Sequence, residues 1–226
     1  MILRIRFGKE GALRFIGHLD VLRTFQKIFR RAGIPMCYSQ GFNPHPIMSF
    51  ALPLGLGLTS EGEYLDAEIE EDADLRDLKA RLAAAASEDL PVYGIRILPD
   101  DAENAMSTVG RADYLLRMPE NVSADAVFAA AAAFMTKKSA VILKQTKTKE
   151  AETDIRPMVY ELYPENGGLR MKLAAGSAAN LKPELLLSAM AEGYFAYAPE
   201  GWQIRRMDLM DHDGRSLGAV GEELKA

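Results

Sequence analysis

Ile2–Phe7 reads ILRIRF and Leu19–Ala32 reads LDVLRTFQKIFRRA, and these two stretches decide the fold. The first alternates apolar and polar residues, the period of a half-buried strand. In the second, Val21, Phe25, Ile28, Phe29 and Ala32 fall on one arc of a helical wheel, and Arg23, Lys27, Arg30 and Arg31 on the roughly opposite one. Gly33 stops this helix and Pro35 prevents its continuation. Outward from there, Ile34–Ser39 is a short extended piece and Gln40–Pro46 a turn-rich loop. Glu63–Glu70 (EYLDAEIE) alternates as a strand, Asp74–Ala86 is an Ala-rich helix, and Val92–Leu98 is a further strand. After a polar link at Pro99–Gly110 the order recurs, with a strand at Ala112–Met118 and a helix at Ala124–Met135 capped by Ser123. A strand at Ser139–Lys144 follows, then strands at Pro157–Tyr163 and Leu169–Leu173 around the hairpin signal Asn166-Gly167-Gly168. A helix at Lys182–Met190 and a strand at Gln203–Met210 complete the set. Two consecutive β-α-β-β-α-β units predict an α+β, tandem ferredoxin-like protein, with units at 1–100 and 110–226.

Composition narrows the function. The 226 residues are 48% hydrophobic and 26% charged, an ordinary globular mixture that excludes a disordered or fibrous chain. The longest apolar runs are only about ten residues, half of what a membrane span needs, so no membrane association is expected. The N-terminus has no signal-peptide core, and a single cysteine, Cys37, cannot form an internal disulfide, which points to a cytoplasmic protein. One Cys and three His (His18, His45, His212) are too few for an iron–sulfur cluster or a structural zinc site, so neither a cofactor nor a metal is expected. The net charge of −5 hides segregation: residues 1–31 carry eight basic side chains against Glu10 and Asp20, and residues 137–149 hold five lysines and no acid. Basic patches on an acidic body are the expected result.

Two segments carry candidate chemistry. In Tyr38–Pro46 the aromatic residues Tyr38, Phe42 and His45 interleave with Ser39, Gln40 and Asn43. Flat rings stack on bases, amides read base edges, and the neighbouring Arg23, Lys27, Arg30 and Arg31 suit phosphates. The structural alternative is a rigid Pro-rich loop whose aromatics plug a core. Lys144, Lys147 and Lys149 alternate with polar residues as on a cationic ribbon, and Arg156 follows in TDIRP. They serve either phosphate binding or the protection of an exposed strand edge. Asp154 and Arg156 equally suit an internal ion pair. His18, His45 and Asp20 form a candidate acid–base set, with Asp20 orienting His18. Equally, His18 caps the helix while Asp20 complements its dipole and pairs with Arg23.

The run FIGHLDVLRTFQKIFRRAGIPMCYSQGFNPHPIMSFALPLGLGLTSEGEYLD closely resembles a bacterial family linked to radical S-adenosylmethionine (radical SAM) proteins. The matching motifs are His18–Asp20, Arg30–Pro35, Tyr38–Pro46 and Thr153–Pro157. The resemblance implies a radical SAM enzyme as partner. The cysteine triad of such an enzyme is absent here, so radical chemistry would belong to the partner. A looser resemblance in fold is to CRISPR repeat-processing endoribonucleases. Together these lead to the expectation of an accessory RNA-binding protein presenting a tRNA or rRNA to a radical SAM enzyme. The alternatives are a metal-independent endoribonuclease or other acid–base enzyme using His18 and His45, and a protein-only docking module for the radical SAM enzyme.

Overall fold

The computed structural model describes residues 1–145 and 150–224. In chain order the elements are β1 (Ile2–Lys9), α1 (His18–Arg31), β2 (Met48–Phe50), β3 (Thr59–Glu68), α2 (Leu78–Ala85), β4 (Val92–Ile97), α3 (Ala105–Thr108) and β5 (Arg111–Arg117). They continue as α4 (Ala124–Thr136), β6 (Val141–Gln145), β7 (Glu150–Asp154), β8 (Val159–Glu165), β9 (Gly168–Ala174), α5 (Pro183–Ala191), β10 (Gln203–Met210) and β11 (Glu222–Glu223). The protein is mixed α+β with mostly antiparallel strands and, among the described residues, five α-helices.

The chain forms two compact units, Met1–Val109 with the segment from Asp208 onward, and Gly110–Met207. In the first, β1 lies between β3 and β4, antiparallel to both, and β2 pairs with β3. The alternation of β1 sends Leu3, Ile5 and Phe7 into the core and Arg4 and Arg6 to the other face. The apolar arc of α1 covers the core face: Val21, Phe25, Ile28 and Phe29 are buried, and Phe25 meets Phe7 edge-on at a centroid separation of 4.7 Å. Across β1–β3 the register sets Arg4 opposite Asp66, where a two-pronged ion pair of 2.8 and 2.9 Å satisfies both buried charges.

The second unit has the strand order β10-β5-β9-β8. Asn166 and Gly167 both have positive φ (48° and 74°), the two-residue turn expected from Asn-Gly, and they join β8 to β9. Ser123 caps α4, its hydroxyl accepting the Ala126 N–H. β6 and β7 form a separate two-stranded sheet.

Several expectations need correction. The second unit does not run from 110 to 226, because the chain from Asp208 returns to the first unit. There β11 pairs with the outer edge of β4, Arg96 donates to the Gly221 carbonyl at 2.8 Å, and the buried Tyr64 phenol donates to Asp208. Ile34–Ser39 makes only isolated bridges, and the strand completing the hairpin with β3 is Met48–Phe50, after the loop. The helix expected from Asp74 starts at Leu78. Arg76 folds back on Asp74 through two hydrogen bonds of 2.9 Å, and Asp77 adopts a left-handed conformation with φ 51°, so the first turn is not helical.

Candidate functional site

Helical spacing on the outer face of α1 brings Arg23, Lys27 and Arg30 into a row at i, i+4 and i+7. The helix ends where Gly33 takes φ 64° and the Ile34 N–H reaches back to the Phe29 carbonyl. Arg81 fixes this corner by donating to the Ala32 and Gly33 carbonyls. Ile34 and Met36 then anchor in the core, and the chain rises into the aromatic loop. Its base is closed by the Tyr38–Pro46 bridge, the Ser39 N–H donating to the His45 carbonyl at 2.9 Å, and a 2.9 Å hydrogen bond between Ser39 Oγ and His45 Nδ1. The tip is exposed, Phe42 completely so.

Helix and loop enclose a groove of about 820 Å³, ample for a nucleotide. Arg23, Gln26, Lys27 and Arg30 form one wall, Gly33–Met36 the corner, and Tyr38 and Pro46 the other wall, with Glu70 also at the lining. Arg23 also holds Asp20 at 3.2 Å, both side chains more than half exposed, so this pair does little to restrain its guanidinium. Gln26 and Glu70 escaped the sequence reading. Gln26 sits three residues after Arg23 and four before Arg30, a helical spacing that marks the same face, whereas nothing local ties Glu70 to α1.

A family described as uncharacterized proteins conserved in bacteria (DUF2344) matches residues 3–183. The chain belongs to the DUF2344 family. In this DUF2344 protein the matched region contains α1, the loop and every residue of the groove. Among solved structures, a chain in the crystal structure of a Cbf5-Nop10-Gar1 complex is similar in fold, with a TM-score of 0.50 and 12% identity. The alignment covers 92% of this chain and 48% of that one, so the DUF2344 protein spans about half its length. No curated protein sequence matches the chain significantly.

The other candidate residues stand elsewhere. Ser39, Gln40, Phe42, Asn43 and His45 belong to the loop but do not line the groove, and neither does Arg31. His18 is the first residue of α1 and borders a different pocket with Lys9 and Glu63, about 20 Å³ in volume and large enough for roughly one water. Asp20 gives its carboxylate to Arg23 and its carbonyl to the Thr24 hydroxyl. His45 is tied to Ser39. The acid–base set of His18, Asp20 and His45 is therefore not assembled around one cavity.

In the second unit, Lys144 lies in β6 opposite Ala151, while Lys147 and Lys149 lie outside the described residues. Arg156 is not a free phosphate ligand. Its guanidinium donates to the carbonyls of Met135, Lys137 and Val159 at 3.0–3.1 Å, closing the C-terminal end of α4. Asp154 makes no ion pair with that guanidinium; its Oδ1 accepts the N–H groups of Ala140 and Arg156, which hold its pKa below the ordinary carboxylate value. Burial and the Glu68 charge push the Cys37 thiol up, so the thiolate needed of a nucleophile is disfavoured. No cluster of metal-ligating side chains occurs among the described residues, and none of their helices is long and apolar enough to cross a membrane.

Proposed function

We propose that this protein is an accessory RNA-binding protein that presents a structured RNA, a tRNA or an rRNA, to a radical SAM partner enzyme in the cytoplasm. The supporting observation is the meeting of Arg23, Lys27 and Arg30 with Tyr38 in one open groove. Three cations at one-turn spacing follow a phosphate backbone, and a half-exposed tyrosine opposite them offers a face to an unstacked base. The partner is inferred from the resemblance of His18–Asp20, Arg30–Pro35 and Tyr38–Pro46 to the radical SAM-linked family. The strand orders favour reading each unit as ferredoxin-like: in both, the first strand lies between the third and fourth of a β-α-β-β-α-β set, with β6–β7 as an insertion in the second.

Filter binding with total cellular RNA at about 50 mM salt tests the proposal, because phosphate contacts are strongest at low ionic strength. Retention of RNA is expected, and no retention removes the reading. A docking role is favoured by one further observation, the full exposure of Phe42 at the loop tip. If the loop touches only protein, co-purification with the radical SAM enzyme resists salt and is lost in Phe42→Ala, while RNA binding is absent.

A further inference from the structure

Glu70 is the one acid among the described residues that line the groove, and we propose that its carboxylate selects a guanine base. The inference rests on the reading of the groove as an RNA site and names the base that the site takes. Glu70 follows the end of β3, where the fully buried Ile69 bridges Met36 and accepts a 3.1 Å hydrogen bond from the N-terminal ammonium of Met1. Its own N–H donates to the Pro35 carbonyl at 3.1 Å, and its carbonyl accepts the Ala73 N–H. These backbone bonds hold Glu70 beside the corner at Gly33–Pro35. Its exposed side chain makes no hydrogen bond or ion pair with any described residue.

Arg23, Lys27 and Arg30 line the same groove, yet none of them forms an ion pair with Glu70. Opposite charges thus stay apart along one cavity, which suits a ligand that carries acceptors at one part and donors at another. The RNA backbone brings phosphate oxygens to the cations, and a carboxylate only repels those. An ionised carboxylate accepts hydrogen bonds and donates none, so its natural counterpart in a single-stranded RNA is a base edge that carries N–H groups. A ribose 2′-hydroxyl offers one donor, whereas the two carboxylate oxygens accept two in parallel. Guanine alone among the four bases places two N–H donors side by side, at N1 and N2. Adenine and cytosine set their amino group beside an acceptor nitrogen, and uracil flanks its single N–H with two carbonyls, so each turns an acceptor toward the carboxylate. Gln26, half-buried on the cationic wall, carries the amide donor that guanine O6 accepts, and Tyr38 offers the ring face on which the base stacks.

Fluorescence anisotropy of the full chain with three labelled five-nucleotide RNAs tests this, each with one guanine, adenine or inosine among uridines. The guanine RNA binds about tenfold or more tightly than the adenine RNA, the scale of one bidentate contact to a base. Inosine, which lacks the N2 amino group, costs about tenfold with the protein itself unaltered. Glu70→Ala, its fold checked by circular dichroism, brings the guanine and adenine RNAs to within about twofold of each other. Lys27→Gln weakens both alike and keeps their ratio, because a phosphate contact carries no base information. Competition by guanosine 5′-monophosphate as strong as that of the guanine RNA identifies a free nucleotide as the source of the base; competition at least tenfold weaker identifies a guanine within a chain. Equal binding of the guanine and adenine RNAs overturns the inference and leaves the groove an RNA site without base choice. Tightening of all three RNAs alike in Glu70→Ala also overturns it, since the carboxylate would then only repel phosphate. Absence of binding by every RNA removes the inference together with the reading on which it rests.

Discussion

Replacing Arg23, Lys27 and Arg30 together by glutamine removes the three cations that line the groove. All three are exposed on α1, and glutamine is close to arginine and lysine in helix propensity, so the fold is retained. Among the described residues the ion pair lost is Arg23–Asp20 at 3.2 Å, an exposed pair of the kind that contributes little. If each cation meets one phosphate of a single-stranded segment, the logarithm of affinity falls against the logarithm of salt with a slope of about −2. Raising salt from about 50 to about 200 mM then weakens binding roughly twentyfold. In the triple variant that part of the slope disappears, and in Arg23→Gln alone it falls by about one third. Fluorescence anisotropy of a labelled RNA across a salt series reads the slope, with circular dichroism confirming the fold. An unchanged slope and affinity in the triple variant would refute the reasoning, because the phosphates would then be held by other residues.

Tyr38→Ala removes a stacking face and weakens binding by about 1–3 kcal/mol, whereas Tyr38→Phe keeps the ring and binds nearly as wild type; competition titration separates the two. Arg156→Gln releases three carbonyls at the end of α4 and destabilises the second unit by about 2–3 kcal/mol, read in urea unfolding, while RNA affinity measured well below the unfolding transition is unchanged. Hydrogen bonds from the Arg76 side chain and backbone hold the Asp74 carboxyl down at about 2. A depressed carboxylate stabilises the folded state above its unfolded value of about 4, and that contribution is lost as pH falls from there through the folded value. Asp74→Asn is therefore less stable than wild type at neutral pH, and the urea midpoints of the two converge near pH 2.

Legibility from sequence followed the range of the interactions. α1 was readable because its buried and charged arcs are both complete within fourteen residues, and the β8–β9 turn because Asn166 and Gly167 by themselves supply positive φ. β2 was not, since Ile47–Leu58 is apolar without period, and only its partner β3 makes it a strand. β7, EAETD, has no strand composition and is defined by pairing with β6. The return of the C-terminal segment rests on contacts between residues more than a hundred apart, such as Tyr64 with Asp208, which no local pattern encodes. At the site, the arginine row followed from helical spacing and its meeting with Tyr38 from the tight corner at Gly33 and Pro35. The role of Arg156 was hidden because its acceptors are carbonyls of Met135 and Lys137 on the preceding helix end.

The most direct measurement is ultraviolet crosslinking of the protein to RNA in living cells, with the crosslinked peptide sequenced by mass spectrometry. RNA held in the groove places the crosslink on Tyr38, within the peptide between Arg31 and Arg76. Crosslinks that fall only elsewhere in the chain, with Tyr38 unmodified, would contradict the assignment of this groove to RNA.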